Sequence, residues 1–208
     1  MHPNQAFRQA KTAQNQDFAR ERGFGTLAVC GGTVPLLAHI PFLLNQTGTM
    51  AELHLVRSNP IAQLATGPIP GVIHVAGPDS YVSPDWYDLA DQVPTWNYVS
   101  VHLRGVLNPL PPDALRPMLD RLSAHFETRL LPKDPWVSAK MSAGVMDRMM
   151  RAILPFSFTV EETDGTWKLN QNKPQQARSA AANHVGTSGI GSEVALLSAL
   201  MHGVGGES

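Results

Sequence analysis

Arg57 stands at the end of an apolar strand pattern and is followed directly by Ser58, Asn59 and Pro60. A serine or asparagine ahead of proline is typical of a helix start, because its side chain caps the first amide groups and proline needs no N–H there. Unpaired amide groups beside a guanidinium form a site for phosphate or another anion. A simple helix cap next to a solvated arginine has the same pattern. The segment therefore predicts a helix start, with an anion site as its functional interpretation.

A second group of residues with binding chemistry lies between residues 77 and 105, where aromatic and polar side chains mix around turns. Five of the seven tryptophan and tyrosine residues fall there: Tyr81, Trp86, Tyr87, Trp96 and Tyr98. Aromatic rings beside hydrogen-bonding groups are typical of ligand sites, although rings that cover one end of a barrel give the same pattern. The stretch predicts a binding surface, with core packing as the alternative.

Common catalytic and metal motifs are missing from the sequence. Residues 23–28, GFGTLA, match the dinucleotide pattern GxGxxA by letter, but they precede a predicted strand instead of following one. The GxxxxGK, HExxH, GxSxG and paired CxxC motifs do not occur. Four histidines fall on predicted strands, namely His39, His54, His74 and His102. Their spacing gives a metal site no support, so no metal ligand and no catalytic residue is assigned.

The composition bounds the class of protein. With 43% hydrophobic residues over 208 positions, the chain has enough apolar surface for the core of one globular domain. Its formal net charge of -1 provides no overall field toward nucleic acid or anionic membrane. A helix expected between Pro112 and Arg129 is interpreted as a solvated face rather than a DNA contact. Direct nucleic-acid binding is therefore not expected.

The cysteine count and the first residues bear on location. Cys30 is the only cysteine, which excludes an intrachain disulfide and fits a reducing compartment. Its position in an apolar strand pattern predicts a buried thiol. The first residues lack the apolar core of a signal peptide, and no later run is long enough to cross a bilayer. We expect a cytoplasmic protein that does not associate with membranes.

Hydrophobic periodicity and turn signals predict the elements that position these residues. The predicted helices cover residues 4–22, 61–65, 112–126, 141–150 and 193–201. The predicted strands cover 24–30, 34–44, 49–56, 72–76 and 96–107, followed by a hairpin of 153–161 and 166–169 around Asp164-Gly165. Residues 170–191 are polar and rich in alanine and glycine, which predicts a mobile arm. Strands joined mostly by hairpins favour an antiparallel barrel over a parallel α/β sheet.

Four sequence blocks resemble, in order, the PaiB family of FMN-binding proteins, which are often labelled negative transcriptional regulators. The blocks are residues 38–41 (AHIP), 54–60 (HLVRSNP), 77–105 with the cores SPDWY and VPTWNY, and 168–172 (KLNQN). The resemblance implies the antiparallel split β-barrel of pyridoxamine-phosphate-oxidase-like flavoproteins, with flanking helices. The barrel domain would cover residues 1–173 with a helical insert at about 111–152, and 174–208 would be a flexible arm with a short C-terminal helix.

The resemblance also implies a homodimer with FMN at the subunit interface, and it suggests which residues hold the phosphate end. Arg57, Ser58 and Asn59 would bind the phosphate itself. His39 and His54 lie near the same strand ends and would add hydrogen bonds, although a packed histidine with a backbone partner is equally compatible.

The ring end of the flavin would lie against the aromatic strand. Trp96 or Tyr98 would cover the isoalloxazine or close the pocket from the other subunit, and Asn97 would hydrogen-bond the ring edge. Alternate residues of a strand face opposite ways, so Trp96 and Tyr98 share one face and Asn97 takes the other. Three more residues would reach the flavin of the partner subunit: Lys168, Asn170 and Gln171.

Three functions follow from the resemblance. The first is a negative transcriptional regulator of the PaiB type that acts through flavin binding. The second is an FMN-dependent oxidoreductase of unknown substrate, in which the cofactor supplies the redox chemistry and no catalytic triad is needed. The third is an interaction module that has lost its flavin.

Overall fold

Within residues 1–204, which the computed structural model describes, the chain forms seven strands and six α-helices. The strands are β1 (Phe24–Cys30), β2 (Pro35–Leu44), β3 (Met50–Val56), β4 (Ile69–Val82), β5 (Thr95–Pro109), β6 (Ile153–Lys168) and β7 (Gly191–Ser192). The helices are α1 (Thr12–Arg22), α2 (Pro60–Leu64), α3 (Leu115–Glu127), α4 (Val145–Met150), α5 (Gln175–Val185) and α6 (Val194–Gly203). No helix in this part of the chain is long and apolar enough to cross a membrane.

Two compact units are formed from interleaved segments. Unit 1 comprises Met1–Asn15, Ala76–Val101 and the described chain from Asp164 onward. Unit 2 comprises Gln16–Val75 and His102–Thr163. Strands β4, β5 and β6 are long because each contributes residues to both units.

The strands pair in the order β1-β2-β3-β6-β5-β4-β7, and β1 also pairs with β4, which closes a ring. In unit 2, β1 runs antiparallel to β2, with Thr26 opposite His39, and antiparallel to β4, with Thr26 opposite His74. The β2–β3 and β3–β6 pairs are antiparallel as well. This is the predicted antiparallel split β-barrel with flanking helices, and ring closure removes the unpaired edges that β1 would otherwise expose.

The core of unit 2 follows from alternation along its strands. Every second side chain of β1, β2 and β3 is buried, among them Leu27, Val29, Ile40, Phe42, Leu53 and Leu55. Burial of these side chains inside the ring makes the main favourable contribution to the free energy of folding of the barrel. The intervening residues, His39 and His54 included, therefore face outward from the ring.

Most of the predicted elements are confirmed, with changed bounds. Strands β1, β2, β3, helix α2 and helix α6 lie within one to two residues of their predicted positions. The strands predicted at 72–76 and 96–107 lie inside the longer β4 and β5. The opening helix is shorter than predicted, because a 3-10 turn at Gln5–Phe7 precedes α1. The stretch 111–152 holds the expected helices, α3 and α4.

The hairpin predicted around Asp164-Gly165 is wrong, because β6 runs through both residues without turning. Gly165 is needed here for close packing and not for a turn. A Cβ atom at Gly165 would lie 2.1 Å from Oδ1 of Asn15, within unit 1. That oxygen accepts a hydrogen bond from Nε1 of Trp167 at 2.8 Å. A glycine that admits a neighbouring side chain has the same sequence signature as a turn glycine.

The mobile arm predicted for residues 170–191 is also wrong over Gln175–Val185, which form helix α5. Its alanines recur at helical spacing and are buried, as Ala177, Ala181 and Ala182 show. Arg178 is buried as well, and donates hydrogen bonds to the carbonyl groups of Met201 and Val204 at 3.1 and 2.7 Å. The small residues that let α5 and α6 pack closely also give this stretch the alanine-rich composition that is typical of a flexible linker. The last part of the predicted tail, residues 205–208, lies outside the described residues.

Cys30 is exposed, contrary to the buried thiol predicted for it. It is the last residue of β1, and the alternation that buries Leu27 and Val29 turns its side chain outward. The parity of a strand position, and not the apolar character of its neighbours, decides which side chains are buried.

Candidate functional site

The segment from β3 to α2 in unit 2 has the local structure predicted for it. Asn59 is the N-cap of α2, with φ −66° and ψ 130°, and its Oδ1 accepts a hydrogen bond from the backbone N–H of Ile61 at 2.9 Å. Pro60 occupies the first helical position. The cap thus uses the Asn59 carbonyl oxygen and one of the amide groups that an anion would otherwise reach, and α2 is only five residues long.

Arg57 is exposed and is anchored by main-chain groups. Its Nε donates a hydrogen bond to the carbonyl oxygen of Arg151 at 2.6 Å, and its backbone N–H donates to the carbonyl oxygen of Ala152 at 2.9 Å. A guanidinium has five N–H donors, so four remain for a ligand. Anchoring through Nε fixes the plane of the guanidinium while leaving its two terminal nitrogens to bind an anion.

Arg57 lines a cavity of about 340 Å³ within unit 2. The ionic groups around the cavity are Arg57, Arg116, Arg151, Asp113 and Asp147. Arg116 is already paired with Asp120 at 3.0 Å and with Ser138 at 2.7 Å. With Arg116 paired to Asp120, the guanidiniums of Arg57 and Arg151 remain against two carboxylates, so the positions of the N–H donors, and not an excess of charge, favour an anion here. Ser58 is exposed, and neither it nor Asn59 lines this cavity.

The two predicted histidines both lie on the outer surface of the ring but differ in environment. His39 is exposed, and its Nδ1 lies 3.1 Å from Oγ1 of Thr26 on the adjacent strand. His54 is partly buried, and its Nδ1 is buried without a hydrogen-bond partner. Burial lowers the pKa of His54, so the imidazole is neutral at pH 7. Within the described residues, no group of three or more His, Cys, Asp or Glu side chains is placed to hold a metal ion.

The aromatic strand residues of unit 1 alternate as expected. Trp96 is 46% exposed and Tyr98 is partly buried, whereas Asn97 between them is completely buried. The side-chain Nδ2 of Asn97 lies 3.4 Å from Sδ of Met201, and its Oδ1 has no hydrogen-bond partner. Trp96 and Tyr98 therefore lie on the more accessible face of β5, while Asn97 faces the interior of unit 1.

The three predicted residues that follow the barrel have different environments within unit 1. Lys168 and Asn170 line a cavity of about 210 Å³. The Nζ of Lys168 donates to Oγ1 of Thr95, and burial lowers the pKa of this lysine. Gln171 binds its own loop instead: its Oε1 accepts from the backbone N–H of Leu169 at 2.8 Å, and its Nε2 donates to the carbonyl oxygen of Trp167 at 2.6 Å. Both ends of its amide are thus occupied.

Tyr87 is a functional candidate that the sequence did not single out from the other aromatic residues. It lines the same cavity as Lys168 and Asn170, it is 1% exposed, and its hydroxyl has no hydrogen-bond partner other than the Asn170 side chain. Burial raises the pKa of Tyr87, and the neighbouring Asn170 side chain opposes part of that increase. Lys173 lies with its Nζ 5.2 Å from the centre of the Tyr87 ring. Only the SPDWY block pointed to this residue.

Comparison with protein families finds one matching domain model. The family described as "Putative FMN-binding domain" matches residues 1–162. Among curated proteins, the chain is similar to "Protease synthase and sporulation protein PAI 2" of Bacillus subtilis (strain 168). The two are 27% identical over 159 residues, which is 76% of this chain and 75% of that protein.

Comparison with solved structures supports the fold. A FAD and heme binding protein from Mycobacterium smegmatis aligns with a TM-score of 0.55 at 17% identity, covering 78% of this chain and 73% of that one. A conserved hypothetical protein from Mycobacterium tuberculosis aligns with a TM-score of 0.56 at 16% identity, covering 83% and 94%. At these identities the likeness concerns the arrangement of strands and helices alone.

Proposed function

The chain belongs to the family described as "Putative FMN-binding domain", and we propose that Arg57 and Ser58 of unit 2 hold the phosphate of its FMN. The observation that carries this proposal is the anchored guanidinium of Arg57, which keeps four N–H donors for a ligand. A dianionic phosphate is the ligand that such a fork binds best. The Ser58 hydroxyl is exposed beside it in the chain and supplies a further donor.

The residues present fit a flavin phosphate in their donor chemistry. Arg57 lines the cavity of unit 2 and keeps its two terminal guanidinium nitrogens for a ligand. His54 lies on β3, three residues before Arg57, and its buried Nδ1 lacks a protein partner, as expected of a group that completes its hydrogen bonds with a ligand or a water, although His54 does not line the cavity. Asn97 stays outside the site that we propose, since it is completely buried.

The flavin ring is assigned to a surface of the partner subunit in a homodimer. Trp96 and Tyr98 lie on one face of β5, and Trp96 is 46% exposed. An exposed indole on a sheet surface is suited to stacking on a planar ring. Three exposed apolar side chains on β1, on β2 and in the turn between them, Phe24, Leu37 and Val34, support association of two chains.

The biological role we assign is negative transcriptional regulation of the PaiB type through flavin binding. It is supported by the four sequence blocks and by the similarity to a Bacillus subtilis protein whose name refers to protease synthesis and sporulation. The net charge of -1 favours action through a partner over direct contact with DNA.

A second candidate function is an FMN-dependent oxidoreductase. The cavity of unit 1 favours it, because this cavity brings the buried polar groups of Tyr87 and Asn170 and two lysines around a space for a small molecule. Bound FMN would supply the electron-transfer chemistry, and the chain would bind and orient the substrate.

The visible absorption spectrum of the purified protein, after addition of FMN and removal of the excess, tests the cofactor. We expect flavin bands to remain with the protein. If they do, addition of a nicotinamide donor separates the two functions: bleaching supports the oxidoreductase, and retention without reduction supports the regulator. A protein that retains no flavin would contradict the proposed cofactor and leave an interaction module.

A further inference from the structure

A cavity of about 210 Å³ within unit 1 is built from segments that are distant in the sequence. Tyr87 comes from the 3-10 turn at Pro84–Tyr87, and Thr95 begins β5. Lys168 ends β6, and Asn170 and Lys173 follow it. Asn170 has a positive φ of 62°, a conformation that asparagine tolerates better than most residues. The loop after β6 is thus held in an uncommon conformation at the cavity wall.

Two polar side chains in this wall are buried and have no partner in the protein beyond each other. Asn170 is 2% exposed and Tyr87 is 1% exposed. A hydrogen bond from the Asn170 side chain lowers the pKa of Tyr87, and neither Nδ2 of Asn170 nor the hydroxyl of Tyr87 has a further partner. The hydroxyl proton of Tyr87 and the second amide proton of Asn170 therefore still need acceptors. Native proteins rarely leave such buried donors without a ligand or an ordered water, so this wall indicates a place where a polar molecule binds.

The charges around the cavity determine the sign of that molecule. Lys168 and Lys173 both line it, and its described lining contains no aspartate or glutamate. Each ammonium group has three N–H donors. Lys168 uses one on Thr95, and Lys173 uses one on Oε1 of Gln92. The unsatisfied groups of the wall are therefore mainly donors, and the ligand that complements them carries negatively charged oxygen atoms.

We propose that this cavity binds a small oxyanion, a carboxylate or a phosphate, through Tyr87, Asn170, Lys168 and Lys173. The volume of 210 Å³ corresponds to roughly seven water molecules at about 30 Å³ each. It lies below the range of about 300 to 1,000 Å³ that is usual for drug-sized ligands. The site thus admits a small metabolite or the acidic end of a larger one, and it is a different site from the one assigned to the FMN phosphate.

Calorimetric titration of the full-length protein with inorganic phosphate and with acetate tests the proposal. The buffer contains chloride as the background anion, and each titration is made before and after saturation with FMN. We expect saturable binding of one anion per chain, by phosphate or by acetate, that persists in the presence of FMN. The stronger of the two probes identifies whether the site prefers a tetrahedral or a planar oxyanion.

Tyr87→Phe is the diagnostic variant, because it removes the hydroxyl and keeps the ring. We expect it to weaken binding of the preferred anion about tenfold or more, since a hydrogen bond to a charged group is lost. Its midpoint of thermal unfolding without anion is measured as well, because the variant also removes the contact between the Tyr87 hydroxyl and the Asn170 side chain. Lys168→Met should also weaken anion binding. Tyr81→Phe is the matched control, because Tyr81 does not line the cavity.

Three results would overturn the proposal. The first is the absence of saturable binding of both probes to the wild type. The second is wild-type affinity in both Tyr87→Phe and Lys168→Met. The third is loss of anion binding on saturation with FMN, which would assign the cavity to the cofactor. Retention of flavin is measured separately by absorption, so failure of the cofactor assignment and failure of the anion site are distinguishable.

Discussion

Arg57 is held by a carbonyl oxygen rather than by a carboxylate, and this contact leaves its charge available. A main-chain acceptor orients the guanidinium without neutralising it, whereas an ion pair such as that of Arg121 with Glu52 at 2.6 Å uses the charge within the protein. Orientation without neutralisation is what a phosphate site requires. The contrast between these two arginines of unit 2 makes Arg57 the stronger functional candidate.

Arg57→Ala should weaken FMN binding by about 1.5 to 3 kcal/mol, because a charge-assisted contact to the phosphate is lost. The dissociation constant from a fluorescence titration with FMN measures the effect. Arg148→Ala is the matched control, because Arg148 is an exposed arginine of α4 that does not line the cavity of unit 2. Equal affinities of wild type and Arg57→Ala would remove Arg57 from the site.

His54 should make the stability of the protein sensitive to acid. Burial lowers its pKa in the folded state below the ordinary value of 6.5, so that below this pH the unfolded chain binds a proton that the folded chain does not. The free energy of unfolding must then fall as the pH decreases from about 6.5 toward the folded-state pKa, and it is unaffected at higher pH.

Urea denaturation at pH 7.5, 6.0 and 5.0 measures this contribution in the wild type and in His54→Asn. We expect the wild type to lose more stability than the variant between pH 7.5 and 5.0. His39→Asn serves as the control, because His39 is exposed. Parallel losses in the wild type and His54→Asn would show that other groups, such as the partly buried His125, whose pKa burial also lowers, govern the acid response.

At the scale of elements, Gly165 lets β6 pack directly against the side chain of Asn15 in α1. Gly165→Ala would place a methyl group on the Asn15 side chain and break its hydrogen bond to Trp167. We expect a loss of about 1 to 3 kcal/mol in the free energy of unfolding, from the forced displacement and the lost bond. Gly189→Ala is the matched control in unit 1, because a Cβ there meets no atom within 4 Å. Equal stability of the two variants in urea denaturation would refute this role.

The elements that sequence reasoning placed correctly have short-range signals. Strands β1 to β3 alternate in hydrophobicity, and Asn59-Pro60 marks the start of α2, so no distant residue is needed to define them. The failures at Gly165 and at α5 have the opposite cause. Gly165 is required by its contact with Asn15, which lies far away in the sequence. The small alanines of α5 are required because α6 packs closely on them.

In the candidate site, too, the residues with short-range signals could be predicted and the contacts between distant segments could not. Arg57 and its cap could be found from seven consecutive residues. The partnership of Tyr87 with Asn170 and Lys173 could not, because it joins segments more than 80 positions apart, and only folding brings them to one cavity. Sequence motifs therefore pointed to Lys168 and Asn170, whereas the structure was needed to single out Tyr87 and Lys173 and to show that all four share a cavity.

At the scale of the whole molecule, the proposed homodimer follows from surface chemistry. Phe24, Val34 and Leu37 of unit 2 are 57%, 62% and 62% exposed. When a second chain covers such exposed apolar side chains, association is favoured by about 25 cal/mol for each Å² removed from water. The net charge of -1 adds little repulsion between two copies of the chain.

Light scattering should give twice the mass of one chain for the wild-type protein. Leu37→Glu should shift that mass toward a single chain, because association would bury a carboxylate without a partner. Val137→Glu is the control, because Val137 is comparably exposed (51%) but lies outside the ring of strands. A dimer that persists in Leu37→Glu would mean that another surface joins the subunits, with the exposed face of Met149 on α4 as the next to be tested. A monomeric wild type would refute the dimer and, with it, the assignment of Trp96 and Tyr98 to the partner's flavin.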